Sequence, residues 1–155
     1  MFVNAYQSYL WNECIKEVLK RIVGKERLYN VDYNIGSLIF YKKLIDYEIK
    51  KIPFTFQTIS PSMKFLSEFE EEIIKDILYK ENIELEKLDI EKETGNFFKT
   101  RKRQIILKPE GFTISNLEID EINYKGKKNR FKLTLSFILP KGSYATLITK
   151  RIFGH

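Results

Sequence analysis

Apolar residues recur at Val3, Tyr6, Leu10, Cys14 and Val18, with Ile15, Leu19 and Ile22 widening the stripe, and this spacing predicts a helix from Phe2 to Ile22. Lys20, Arg21 and Lys25 surround its far end and Gly24 follows the last periodic position, a glycine stop with favourable cations. A second stripe, Leu66, Phe69, Ile73, Ile77 and Leu78, predicts a helix capped by Ser62, with Glu68, Glu70, Glu71 and Glu72 as a solvated face in its early turns. Between these helices, Tyr29 to Asn34 is rich in turn formers, Ser37 to Tyr41 is a predicted strand and Leu44 to Ile49 a second strand candidate. Phe54, Phe56 and Ile59 form a short extended run among Pro53, Ser60 and Pro61, and Ile83, Leu85, Leu88 and Ile90 permit one more short helix.

The second half of the chain changes to short apolar runs separated by turns. A turn at Glu93 to Asn96 precedes a strand at Gln104 to Leu107, and Pro109-Glu110-Gly111 makes a second turn. Phe112 to Ile122 alternates loosely, as a bulged strand would, and Asn123 to Lys128 turns the chain again. Phe131 to Leu139 carries apolar residues on both faces, the mark of a strand buried in a sheet, and Pro140 ends it by removing a backbone donor. Gly142 and Ser143 are then expected to open a helix with Tyr144 in its first turn. Unpaired N–H groups at such a start suit a phosphate or a polar base edge, although a capped turn with a half-buried tyrosine explains the same residues.

Composition narrows the chemistry. The 155 residues, 43% of them hydrophobic, suffice for one compact domain or two small pieces. The 27 Lys and Arg against 21 Asp and Glu give a net charge of +6, which permits a polyanionic partner without requiring one. Nine Tyr and twelve Phe add aromatic faces of the kind that hold unstacked bases, though most must be core. The single cysteine, Cys14, leaves no intrachain disulfide and no paired zinc spacing, which fits a reducing compartment. The sole histidine is the last residue, His155, so a histidine-based triad or acid–base pair has no candidate. No apolar run approaches the roughly 20 residues of a bilayer span, and no basic leader precedes an apolar core, so the expected protein is soluble, cytoplasmic and free of membrane partners. The immediate entry into a helix at Met1-Phe2-Val3 reads like a cut inside a longer protein.

The densest basic cluster is Phe97-Phe98-Lys99-Thr100-Arg101-Lys102-Arg103. Arginine takes a phosphate through two parallel hydrogen bonds and lysine neutralises it as a point charge, so Lys99, Arg101, Lys102 and Arg103 are candidate RNA contacts. A solvated basic loop with one Phe anchored in the core explains the cluster equally well.

Two blocks at opposite ends carry more. Asn4-Ala5-Tyr6-Gln7-Ser8-Tyr9-Leu10-Trp11-Asn12 and Leu139-Pro140-Lys141-Gly142-Ser143-Tyr144-Ala145-Thr146 together resemble the tRNA pseudouridine synthase D (TruD) family, and the resemblance extends over essentially the whole chain. It implies an α+β fold: helices packed on short antiparallel or mixed strands of the family's insertion domain over residues 1–106, then a C-terminal strand-turn-helix segment of the pseudouridine synthase catalytic domain over 107–155. It implies isomerisation of the uridine at position thirteen in the D arm of tRNA, with no cofactor and no metal. Asn4, Gln7, Ser8 and Asn12 match the motif helix. Tyr144, following Gly142 and Ser143, matches an aromatic position near the target base, and Lys150 a basic position in the following helix. An aromatic wall is apt for a flipped uracil.

The chain departs from the family's pattern at the chemistry. The nucleophilic Asp of that family lies in Gly-x-Lys-Asp-Lys/Arg-x-Ala, and none of Asp32, Asp46, Asp76, Asp89 or Asp120 has that context. A later Asn-Tyr-Phe-Gly-x-Gln-Arg-Phe-Gly block is absent as well. Without a carboxylate nucleophile the covalent step has no agent, so this chain resembles the C-terminal half of the enzyme and is expected to be inactive alone. A strand left open along Phe131 to Leu139 would then pair with a missing N-terminal half or with a second copy. A non-catalytic RNA-binding module derived from the same fold is the alternative.

Overall fold

A computed structural model describes residues 2–33, 36–90, 98–123 and 130–154, so the expected turn at Glu93 to Asn96, Phe97, and all of the turn at Asn123 to Lys128 except Asn123 lie outside the described residues. The chain divides into two compact units, residues 1–106 with 149–155, and residues 107–148. Its elements are helical and short antiparallel, an α+β composition.

The first unit is organised by α1, Phe2–Ile22, whose Leu10, Cys14 and Val18 are fully buried, as the periodicity predicts. They pack with Ile73, Ile74, Ile77 and Leu78 of α3, Glu68–Lys80, and with Phe56, Ile59, Met63, Leu88 and Phe98. The α3 cap is Ser67, not Ser62: its hydroxyl accepts from Glu70 N at 3.2 Å. Ser62 lies instead in a turn closed by Met63 N to Ser60 O, which sends Met63 into the core and leaves Leu66 exposed ahead of the helix. The acidic face is also not uniformly solvated. Glu70 is 4% exposed and accepts from Gln57 N, Gln57 Nε2 and Leu66 N at 3.1, 2.9 and 2.8 Å, hydrogen bonds that compensate a buried carboxylate.

Further elements of this unit differ from their expected form. The turn-rich stretch forms β1, Leu28–Tyr33, paired antiparallel with β2, Gly36–Tyr41, from Leu28↔Tyr41 to Tyr33↔Gly36. Tyr29, Val31 and Tyr33 alternate with Asn30 and Asp32, a strand period that outweighs the turn propensity of the polar residues, and Tyr29 stacks on Phe40 across the ladder. The strand candidate at Leu44 to Ile49 is helical: α2 spans Asp46–Lys51, with acids in its first turn and lysines in its last. Gly24 is extended (φ −58, ψ 135), not a left-handed stop, and its N–H donates to Glu48 Oε1 at 3.1 Å. A three-residue turn of 3-10 helix, Lys25–Arg27, then leads into β1, and the short helix expected after α3 is a four-residue 3-10 helix, Leu85–Leu88. β3, Thr55–Gln57, pairs antiparallel with β4, Lys102–Gln104, so the strand expected at Gln104 to Leu107 begins earlier and contains part of the basic cluster.

In the second unit β5, Glu110–Ile114, pairs antiparallel with β8, Leu135–Ile138, with a register shift between Glu110 and Thr113. β6, Glu118–Ile119, pairs with β7, Phe131–Lys132. The single buried strand expected over Phe131 to Leu139 is therefore two short ones, and among the described residues of 107–148 none is buried. The break falls at Thr134, whose carbonyl accepts from Ser115 N and whose N–H donates to Ser115 Oγ. Phe112 and Phe137 stack with centroids 6.1 Å apart. Glu110 and Gly111, expected in a turn, lie within β5. The last helix, α4, spans Ala145–Phe153, so Gly142 and Ser143 precede it.

Candidate nucleic-acid interface

The basic cluster is held to the first unit by its backbone. Thr58 exchanges main-chain and side-chain bonds with it: Thr58 N donates to Arg101 O at 2.8 Å, Thr58 Oγ1 donates to Lys99 O at 2.7 Å, and Arg101 N donates to Thr58 Oγ1 at 2.9 Å. Ser60 Oγ and Thr100 Oγ1 share a hydrogen bond of 2.5 Å. Phe98 is buried in the core at the head of the segment. Lys99, Arg101 and Lys102 are exposed, and Arg103 is half-buried. The segment is thus a fixed strap rather than a free loop.

The motif helix supplies the other side of this strap. Gln7 is 4% exposed, and its Nε2 donates to Ile59 O at 2.7 Å and to Lys99 O at 2.9 Å. One turn on, Trp11 Nε1 donates to Phe56 O at 3.2 Å. The Arg103 guanidinium lies 5.8 Å from the centre of the Trp11 ring, a cation–π contact, and its Nη1 reaches Ser8 Oγ at a long 3.4 Å. Among the described residues no carboxylate lies within ion-pair distance of Arg101, Lys102 or Arg103. By contrast, Arg21 meets Glu17, Glu72 and Asp76, and Arg27 meets Glu26 and Glu48. Asn4 is exposed on the same helix, while Asn12 neighbours the buried hydroxyl of Tyr33, whose pKa is raised by burial.

Of the expected site residues, α1 and the strap bring together Gln7, Ser8, Lys99, Arg101 and Arg103. Lys150 belongs elsewhere in the first unit, in an open cleft of about 550 Å³ with Asn30, Val31, Asp32, Thr149, Phe153 and Gly154. Tyr29 OH donates to Arg151 O at 3.3 Å and the Arg151 guanidinium lies 4.2 Å from the Tyr41 ring centre, which ties the end of α4 to the hairpin. In the second unit, Gly142 has φ +89, a left-handed conformation that glycine adopts without strain, in a turn closed by Ser143 N to Pro140 O at 3.2 Å. Tyr144 follows, 52% exposed, and its carbonyl accepts from Leu147 N. Trp11, Thr58 and Ser60 are the contributors that sequence reasoning missed. Trp11 stands inside the first motif block, four residues after Gln7, and that helical spacing was the available signal.

Two other carboxylates are engaged by their neighbours. Asp76 pairs with Arg21 at 2.5 Å, and Asp120 accepts from Asn123 Nδ2 at 2.7 Å and from the backbone of Asn123 and Ile122, interactions that lower its pKa. Among the described residues there is no group of three or more His, Cys, Asp or Glu that could hold a metal, and no helix long and apolar enough to cross a membrane.

The family model for tRNA pseudouridine synthase D (TruD) matches residues 1–152. The chain belongs to the TruD family. It is 44% identical over 155 residues to a protein of Methanocaldococcus jannaschii named "Probable tRNA pseudouridine synthase D 2", with 99% of this chain and 35% of that protein covered. It is 42% identical to a Methanococcus maripaludis protein named "Probable tRNA pseudouridine synthase D 1", covering 99% of this chain and 38% of the relative. It is 31% identical to the "tRNA pseudouridine synthase D" of Aquifex aeolicus, covering 99% and 36%. The chain thus spans little more than a third of the length of these TruD relatives. No solved structure matches it significantly.

Proposed function

We propose that this chain is the C-terminal, RNA-gripping part of a tRNA pseudouridine synthase that isomerises the uridine at position thirteen of the D arm, and that it acts in the cytoplasm without cofactor. In this reading residues 1–106 form most of the insertion domain and 107–155 the C-terminal segment of the catalytic domain. The observation that carries it is the strap: Arg101, Lys102 and Arg103, which among the described residues have no carboxylate within ion-pair distance, on a backbone fixed to the motif helix by Gln7 and to the end of β3 by Thr58, in a chain of the TruD family. Exposed cations on a fixed backbone suit phosphate oxygens, and the backbone's ordering entropy is already lost before RNA arrives. Tyr144, half-exposed after the Gly142 turn, is the wall proposed for the target uracil, with Lys150 on the tRNA backbone.

The chain alone is proposed to be inactive, because no Asp in it has the context of the family's nucleophile. The missing catalytic strands are proposed to pair with the other edge of β8, which among the described residues has β5 as its one neighbour in a two-stranded sheet. Self-association at that edge is the same contact made by a second copy. The test follows the C5–H of uridine, which is lost when the base is rejoined to the sugar through carbon. With tRNA tritiated at uridine C5, the 155-residue chain should release no tritium above background, and the same chain fused to the remainder of the Methanocaldococcus jannaschii relative should release it. Release by the chain alone, or none from the fusion, would refute the proposal.

A further inference from the structure

On α1 and α3 cations stand beside carboxylates: Lys16 with Glu13, Arg21 with Glu17 and Lys75 with Glu71. The corner made by α2 and the start of β3 is different. Lys42, Lys43, Lys50 and Lys51 are all exposed, and among the described residues none has a carboxylate within ion-pair distance. Asp46 stays at the surface, but Glu48 is turned inward, where Arg27, Gly24 N and Ile45 N hold it. The fold therefore removes one of two local negative charges from the surface and leaves four lysines outside.

Two large aromatics stand among these lysines. Tyr47 is 61% and Phe54 74% exposed, and Lys51 Nζ lies 4.5 Å from the Tyr47 ring centre. The backbone beneath them is anchored: Lys42 N donates to Arg27 O at 2.8 Å, Ile52 N donates to Glu48 O at 2.9 Å, and Ile52 itself is buried. The corner also runs directly into the strap. Ile105 N donates to Phe54 O at 3.3 Å, and the ladder continues through Thr55↔Gln104 and Phe56↔Arg103.

We propose that Lys42, Lys43, Tyr47, Lys50, Lys51 and Phe54 form a second RNA-binding surface, which takes a stretch of unpaired nucleotides continuous with those on the strap. The proposal rests on the reading that this chain grips tRNA. Exposed rings have no use on the phosphates of a duplex, whereas unpaired bases present faces to stack on them, and lysines neutralise the intervening phosphates. Such a surface is tolerant of sequence, because every base has a face.

The experiment uses the whole 155-residue chain, a tRNA transcript and a single-stranded oligouridylate of about ten nucleotides, a length within known single-strand site sizes. Affinity is read by fluorescence anisotropy against salt, with far-UV circular dichroism and urea midpoints verifying each variant's fold. Replacing the four lysines by Ala should make the slope of log affinity against log salt less steep by about 2 to 3, at roughly 0.7 per single-strand phosphate contact. Tyr47→Leu with Phe54→Leu should weaken oligouridylate binding at least about fivefold and leave the slope unchanged. If the wild-type chain binds neither RNA, this inference and the tRNA reading fall together. If Arg101→Ala with Arg103→Ala flattens the slope and the four-lysine variant does not, this inference alone is overturned. Unchanged affinity in the aromatic variant would overturn it too, by reducing the corner to a bare charge patch.

Discussion

Gln7→Met tests how the motif helix holds the strap. Methionine keeps the length and volume of glutamine but donates no hydrogen bond, so the change isolates the two bonds to Ile59 O and Lys99 O. The two acceptors are not equivalent. Lys99 O retains Thr58 Oγ1 at 2.7 Å, so its loss is that of one ordinary bond, about 1 kcal/mol, while Ile59 O is left buried without this donor at about 1–3 kcal/mol. The sum is about 2–4 kcal/mol, which at a urea slope near 2 kcal/mol per molar lowers the midpoint by about 1–2 M. Gln7→Glu should be worse at neutral pH, since a carboxylate faces two carbonyl oxygens and only its protonated form can donate. Its stability should therefore rise as pH falls toward about 4. A Gln7→Met midpoint within about 0.3 M of wild type would show that the buried amide contributes no more than packing.

The other predictions concern the joints of the first unit and the end of α4. Glu48 has a lowered pKa because Ile45 N, Arg27 and Gly24 N all favour its charged form. Its contribution is present above the ordinary carboxylate pKa and lost as pH falls through the lowered one, so Glu48→Gln should flatten the acid limb of a pH–stability profile, and an unchanged limb would refute the assignment. Gly154→Ala would drive a methyl into Lys150 O and to 2.6 Å from Val31 Cγ1, an overpacking cost of about 1–3 kcal/mol. Amide exchange at Gly154, whose N–H bonds to Lys150 O, should accelerate, and unchanged protection would mean that the tail does not rest on β1. Thr58→Val removes the hydroxyl that binds both Lys99 O and Arg101 N, so Arg101 N–H exchange should speed up while α1 amides keep their protection.

What was legible in the chain was local. The 3.6-residue stripe of α1 is long and unbroken, and the basic run at Lys99 to Arg103 is visible as composition. β1 was obscured because Asn30, Asp32 and Asn34 interrupt Tyr29, Val31 and Tyr33 with the very residues that favour turns. α2 reads as a strand because Asp46, Glu48 and Lys50 alternate with Ile45, Tyr47 and Ile49 over a stretch too short to separate a period of two from 3.6. The inward turn of Glu70, among four acids in five positions, is decided by Gln57 thirteen residues upstream. The strap depends on pairs such as Thr58 with Lys99 and Gln7 with Lys99, 41 and 92 positions apart, which no local pattern encodes. Trp11 stands inside the first motif block, but its seat under Arg103 follows only once β3 and β4 are paired.

The central claim is that the strap grips tRNA through cations held ready by the motif helix. The salt dependence of tRNA affinity, measured for the wild-type chain and for Arg101→Ala with Arg103→Ala, tests it most directly. The slope expected for the variant is less steep by about 1.4 to 1.8, for two lost phosphate contacts at roughly 0.7 to 0.9 each. Parallel lines for two equally folded proteins would place the tRNA backbone elsewhere.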